Sequence, residues 1–100
     1  MFYVYLLKSL KYKETYVGST NNIEKRLAQH NSGTEISTRR YMPWNLVYYE
    51  AYTDESSARM REKRLKHHGN AMLEVKRRVG LTREDKGLPR TTFTSDTLSP

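Results

Sequence analysis

Apolar and aromatic residues along the chain cluster in three short blocks, with amphipathic stretches between and after them. Residues 2–10, FYVYLLKSL, are apolar on both faces as far as Leu7 and rich in aromatic and branched side chains, which predicts a buried strand. After the polar Lys11-Tyr12-Lys13, residues 14–19, ETYVGS, predict a second, shorter strand, and the short link between them predicts an antiparallel hairpin. Thr20-Asn21-Asn22 supplies helix-capping side chains for a helix over about 22–31, which the Asn31-Ser32-Gly33 signal ends. Residues 33–44 are loop-like, carry Arg39 and Arg40, and close on Pro43; residues 45–52, NLVYYEAY, predict a third strand. Thr53-Asp54-Glu55 opens a second helix running to about His68 with Gly69 as its stop, and Asn70 caps a third over 71–79, ended by Gly80. The remaining residues, 80–100, have few apolar positions and no periodicity, and are expected to be disordered. The order β-β-α-β-α-α predicts a single small α/β domain over 1–79, a three-stranded sheet with about three helices packed against it.

Several residues break this pattern. With about 100° between successive helical residues, Glu62 lies on the buried stripe of the second helix beside Ala58 and Leu65, while Met60 falls on the far side. A carboxylate on a core-facing stripe is costly unless it is paired or binds a metal. It therefore predicts a bound cation, a salt bridge to a base such as Arg26, or a stripe edge open to water. In the first helix, Arg26 and His30 are four residues apart, neighbours along one edge of the face that carries Ile23 and Leu27. An arginine there can hold a phosphate with two parallel hydrogen bonds, or lie on the surface. The histidine can move a proton, or satisfy a helix-terminal carbonyl. Tyr5 and Tyr16, two of eight tyrosines, fall mid-strand on adjacent strands. Strand alternation puts them on one face if the hairpin loop holds an even number of residues, and that is the expectation.

Charge narrows the partners. Lysine and arginine number 18 against 11 acidic residues, a net charge of +7. Residues 80–100 are neutral, because Arg83, Lys86 and Arg90 balance Glu84, Asp85 and Asp96; the whole excess lies in residues 1–79. A basic domain of this kind suits a polyanion, most simply nucleic acid. The chain has no cysteine, which excludes disulfides, thiolate zinc sites and a cysteine nucleophile. With three histidines as the remaining soft ligands, a metal is expected to be a hard ion on carboxylate oxygen. No apolar run is long enough to span a membrane, and the first residues read as a strand rather than a secretion signal, so the expected location is the cytoplasm.

Taken together, Tyr3-Val4-Tyr5, Tyr16-Val17-Gly18 about ten residues on, Arg26, His30 and Glu62 resemble the pattern of the GIY-YIG nuclease superfamily. The segments HNSG at 30–33, TRR at 38–40 and LVYYEAY at 46–52 are similar to its small stand-alone bacterial members, related to the structure-selective endonuclease domain of the Slx1 type. The first motif departs from the pattern by lacking its glycine, and there is no room here for the DNA-binding domains that other members append. The resemblance implies a metal-dependent endonuclease that hydrolyses phosphodiester bonds of DNA. Its implied catalytic residues are Tyr5, Tyr16, Arg26, His30 and Glu62, with Glu62 holding one Mg²⁺ or Mn²⁺ ion. The ion would stabilise developing charge and the leaving 3′ oxygen. Arg26 would neutralise the scissile phosphate, and His30 would assist proton movement. Tyr5 or Tyr16 would orient or deprotonate the attacking water. Tyr5 is preferred as base, although a phenol, with a pKa of about 10, needs nearby positive charge for that role.

Arg39, Arg40, Arg61, Arg64, Lys66, Lys76, Arg77 and Arg78 are the expected nucleic-acid contacts. Trp44 can stack on a base or anchor the loop. Phosphate contacts position without reading sequence, so selection by nucleic-acid structure rather than by base sequence is expected. The competing reading is a nucleic-acid-binding module without turnover of its own, reliant on a protein partner to deliver substrate.

Overall fold

The computed structural model describes residues 1–81. Three strands, β1 (Phe2–Ser9), β2 (Thr15–Thr20) and β3 (Trp44–Tyr52), form one antiparallel sheet in the order β2-β1-β3. The helices are α1 (Ile23–Ser32), α2 (Glu55–His67) and α3 (Gly69–Arg78), and a short 3₁₀ turn spans Arg39–Tyr41. The element order β-β-α-β-α-α is the one expected.

The central strand is buried on both faces, as its sequence requires. Val4 and Leu6 face a core shared with Val17, Val47, Tyr48, Ala58, Leu65, Val75 and Val79, which covers the sheet with α2 and α3. Tyr5 and Leu7 face the other side, where Trp44, Tyr16, Leu27 and Leu46 complete a second core under α1 and the loop that follows it. Two adjacent residues of β3, Val47 and Tyr48, both join the first core. They can do so because the β1–β3 register shifts between Leu6, opposite Tyr48, and Leu7, opposite Leu46. The bulge accommodates one extra residue in β3.

The hairpin connects Lys8 to its partner Thr15 through Ser9 to Glu14, an even number of residues. Tyr5 pairs with Gly18 and Leu7 with Tyr16, so Tyr5 and Tyr16 share the α1 face as alternation demands. Asn22 caps α1, its side chain accepting from the Lys25 amide at 3.1 Å, and Asp54 caps α2 through the Ser57 amide at 2.8 Å.

Two local expectations are corrected. Gly69 does not stop α2; it is the first residue of α3, and His68 is the joint between the two helices. Among the described residues the left-handed glycines are Gly33, which ends α1, and Gly80, which follows α3. Asn70 is accordingly inside α3 rather than its cap. Trp44 starts β3 and is 4% exposed, its indole N–H donating to the Thr38 carbonyl at 2.9 Å, so it anchors the loop and offers no face to a base. The expectation of disorder over 80–100 falls, beyond Gly80 and Leu81, outside the described residues.

Candidate active site

β2 is an outer strand, and the predicted residues collect around it from both faces of the sheet. On the α1 face, the Tyr5 hydroxyl lies 3.0 Å from His30 Nε2. The Tyr16 ring packs 4.8 Å from the His30 ring and 6.2 Å from Tyr5, centroid to centroid. Arg26, one turn before His30 on α1, lies near enough to the Tyr5 hydroxyl for its charge to act on it. On the α2 face, Ser19 of β2 donates its hydroxyl to Glu62 Oε1 at 2.6 Å, and Lys66 Nζ, one helical turn on, sits 2.8 Å from Glu62 Oε2. The same ammonium is 5.8 Å from the centre of the Tyr16 ring. Lys66 thus spans the sheet edge and links the carboxylate on one side to the Tyr16 ring on the other.

The five residues differ sharply in access. Tyr5 is 2% exposed and His30 fully buried, whereas Tyr16, Arg26 and Glu62 are half-buried. Burial is the main reason that the Tyr5 hydroxyl is pushed up to about 12 despite the opposing influence of the nearby Arg26 guanidinium. Tyr5 therefore keeps its proton, and the sequence-based preference for it as base meets a physical obstacle. His30 is lowered by burial and by the nearby Arg26 charge, so its ring is neutral at pH 7. For Glu62, burial pushes the carboxyl up, but hydrogen bonds from Lys66 and Ser19 outweigh it and leave the group below its usual range, ionised at neutral pH.

The glycine of Tyr16-Val17-Gly18 has a local cause. A Cβ on Gly18 would lie 2.7 Å from Tyr5 Cζ and 3.0 Å from Tyr16 Cε2, so only a residue without a side chain lets both rings close over the strand.

Three residues join the site that the sequence did not single out. Ser19 follows Gly18 and shares the alternation of Val17 toward α2, a signal that could have found it. Thr38 is 1% exposed, and its hydroxyl oxygen is 2.8 Å from His30 Nδ1. Glu35 takes both terminal nitrogens of Arg26, each at 3.1 Å, while Gln29 accepts from one of them at 2.9 Å. The carboxylate of Glu35 occupies the positions that two phosphate oxygens would take on that guanidinium. The base that pairs with Glu62 is Lys66 rather than Arg26, the example offered by the sequence; Arg26 is taken by Glu35.

Glu62 opens onto a groove lined by Ser19, Arg59, Lys63, Lys66 and His67. Among the described residues no three histidine, aspartate or glutamate side chains gather to cage a metal. One ionised, half-buried carboxylate with water and phosphate oxygens is nevertheless an ordinary environment for a single hard divalent ion. A cationic group already sits against Oε2, and it belongs to a lysine side chain that is 43% exposed and can swing away. The donor chemistry thus fits one hydrated ion and not a closed structural site.

The basic residues divide between the two sides of the sheet. Arg39 and Arg40 are exposed on the turn directly after Thr38, with Arg40 packed over Tyr41 at 5.6 Å. Arg64 and Lys66 are exposed on α2, Arg77 and Arg78 at the end of α3, and Lys76 is half-buried. Arg61 is different: it grips Glu50 of β3 through two hydrogen bonds of 2.9 Å, and the Tyr48 and Tyr52 hydroxyls donate to the same carboxylate. Its charge is consumed in joining α2 to β3.

The model of the GIY-YIG catalytic domain matches residues 1–77. The chain belongs to the GIY-YIG family. Among its relatives, a UPF0213 protein of Lactiplantibacillus plantarum is 39% identical over 75 residues, covering 70% of this chain and 71% of the relative. A UPF0213 protein of Clostridium perfringens is 44% identical over 63 residues, 62% of this chain and 67% of the relative. The solution NMR structure of a UPF0213 protein from Bacillus halodurans superposes with a TM-score of 0.50 at 27% identity, covering 99% of this chain and 98% of that one. The GIY-YIG membership points to a nuclease and to nucleic acid as the general class of partner. Among the described residues, no helix is long and apolar enough to cross a membrane.

Proposed function

We propose that this chain is a metal-dependent endonuclease that cuts DNA by recognising its structure rather than its base sequence. The observation that carries the reading is the gathering of Tyr5, Tyr16, Arg26, His30 and Glu62 around one sheet edge, with Lys66 linking Glu62 to Tyr16. A fold alone needs no ionised carboxylate, guanidinium and stacked phenols gathered about one outer strand.

In this reading Glu62 holds one Mg²⁺ or Mn²⁺ ion, which when bound supplies charge neutralisation at the phosphate and at the leaving O3′. Arg26 exchanges Glu35 for the scissile phosphate. Tyr16, the more accessible phenol, positions the attacking water. The water oxygen bonds to phosphorus and the phosphorus–O3′ bond breaks. One water proton leaves through the Tyr16 hydroxyl to the groove, and O3′ takes up another, giving a 5′ phosphate and a 3′ hydroxyl. Tyr5 and His30 stay buried and hold Arg26 and Tyr16 in place. Arg39, Arg40, Arg64, Lys66, Lys76, Arg77 and Arg78 supply phosphate contacts.

Single-turnover cleavage of a flapped and a linear duplex, with Mg²⁺ or Mn²⁺, tests this. Wild type should cut the flap faster, and Glu62→Ala should abolish cutting while anisotropy still reports binding. Binding without cutting by the wild type with either ion would favour instead a module that depends on a protein partner for turnover.

A further inference from the structure

The loop that joins β1 to β2 is tied down at every turn. Ser9 is its buried hub: the hydroxyl donates to the Tyr41 carbonyl at 2.6 Å and accepts from the Lys11 and Tyr12 amides at 3.2 and 3.0 Å. Lys8 Nζ donates to the Ser9 and Tyr12 carbonyls at 2.8 and 2.6 Å, and the Leu10 amide donates to the Pro43 carbonyl at 2.9 Å. These bonds fix the loop against the Arg39–Tyr41 turn. What they hold in place is a water-facing ring. Tyr12 is 51% exposed; its ring meets that of Tyr41 at nearly a right angle, centroids 5.5 Å apart, and the Arg40 guanidinium lies 5.6 Å from the centre of Tyr41.

A ring left half in water adds little to the core, but its ordering is complete before a ligand arrives, which lowers the cost of binding. The two segments carry Lys11, Lys13, Arg39 and Arg40, all exposed, against one exposed acid, Glu14. An ordered aromatic face among cations suits a nucleobase: every base has a π-face to stack, and the cations take its phosphates. The ring contacts also continue inward, from Tyr41 to Trp44 at 6.3 Å and from Trp44 to Tyr16 at 6.4 Å. Three ring spacings therefore separate Tyr12 from Tyr16 of the candidate active site, a reach of roughly five stacked nucleotides at most, at about 3.4 Å each. The stacking role that the burial of Trp44 denies to it falls to Tyr12.

We propose that Tyr12, backed by Tyr41 and Arg40, is a stacking platform for an unpaired nucleobase in a single-stranded arm of the DNA. A paired base stays inside its own stack, so such a platform separates branched from fully paired DNA without reading sequence. The inference rests on the structure-selective DNA binding proposed above and not on cleavage.

Anisotropy titrations without divalent ion test this, comparing a duplex that carries a single-stranded arm with a fully paired duplex of equal nucleotide number. Wild type should favour the armed duplex. Tyr12→Ala and Tyr12→Leu, their folds verified by urea melts, should bind it about 5- to 100-fold more weakly and bind the paired duplex within about twofold of wild type. Tyr12→Phe, which keeps the ring, should bind both as wild type does. No wild-type preference for the armed duplex, or unchanged binding of it by folded Tyr12→Ala and Tyr12→Leu, overturns the proposal. A wild-type dimer in sedimentation that Tyr12→Ala abolishes also overturns it and assigns the ring to a second copy of the chain. If the Tyr12 effect holds and no DNA is cut once Mg²⁺ or Mn²⁺ is added, hydrolysis fails while the platform stands.

Discussion

The Tyr5 ring lies against the backbone of Gly18, its cross-strand partner, with no room for a methyl group between them. This contact seals the Tyr5 hydroxyl from water and lets Tyr16 pack beside it. Gly18→Ala should force both rings to move, costing about 1–3 kcal/mol by overpacking. Urea unfolding measures the loss, and the near-ultraviolet circular dichroism of the tyrosines should change with it. A variant as stable as wild type would mean that the rings yield freely and that the glycine has no packing role.

The Arg26–Glu35 pair makes a prediction of opposite sign to an ordinary stabilising contact. Glu35 is held below its usual range by the Arg26 hydrogen bonds and stays ionised at neutral pH, where it competes with phosphate for the guanidinium. Glu35→Gln should bind a short DNA duplex several-fold more tightly at low salt while melting slightly earlier. Fluorescence anisotropy and thermal unfolding on the same sample separate the two effects. Weaker binding would show that Glu35 orients Arg26 for the substrate instead of occupying its place.

The sheet, the hairpin and the faces that carry Tyr5, Tyr16, His30 and Glu62 follow from local periodicity, while their grouping with Arg26 into one site came from the resemblance to the GIY-YIG pattern. Strand alternation gave the shared face of the two tyrosines, and the helical wheel put His30 and Glu62 on inward stripes. What escaped was set by tertiary contact. Thr38 and Glu35 lie in a segment with no period, and their roles exist only because the loop folds back on α1. The partner of Glu62 was legible as a kind of residue, a base; the i,i+4 spacing to Lys66 was the signal that would have named it, and Arg26 is claimed instead by Glu35 across a loop. Gly69 misled because glycine at a helix end is usually a stop, whereas here α3 begins at once after His68. The side-chain inventory likewise could not tell that Arg61 spends its charge on Glu50 while Arg64, three residues on, is exposed.

His30 should make stability sensitive to mild acid. Burial, then Arg26, lowers its pKa in the folded protein below the ordinary 6.5. The unfolded chain therefore takes up a proton first as pH falls, and stability is lost from about pH 6.5 downward until the folded pKa is passed. One such group gives a slope of at most about 1.4 kcal/mol per pH unit. Glu35, Glu50, Asp54 and Glu62 are all held low and add their own losses only in stronger acid. Urea midpoints between pH 7.5 and 5 should decline in wild type and flatten in His30→Asn. An equal decline in both would assign the dependence elsewhere.

Arg61 and the Arg39–Arg40 pair, alike as charges in the sequence, should separate in the laboratory. Arg61→Ala removes the cation that faces Glu50, a carboxylate that burial raises but that Arg61, Tyr48 and Tyr52 hold low. The half-buried carboxylate loses its main partner, and stability should drop by about 1–3 kcal/mol with little change in affinity for DNA. Arg39→Ala and Arg40→Ala touch exposed side chains and should leave unfolding unchanged while each reduces the slope of log affinity against log salt by about 1. Titrations at four salt concentrations, beside urea melts of the same three variants, distinguish the cases. If Arg61→Ala lowers the salt slope and keeps full stability, the guanidinium leaves Glu50 for the polyanion, and the contact surface extends across α2 to the β3 side of the sheet.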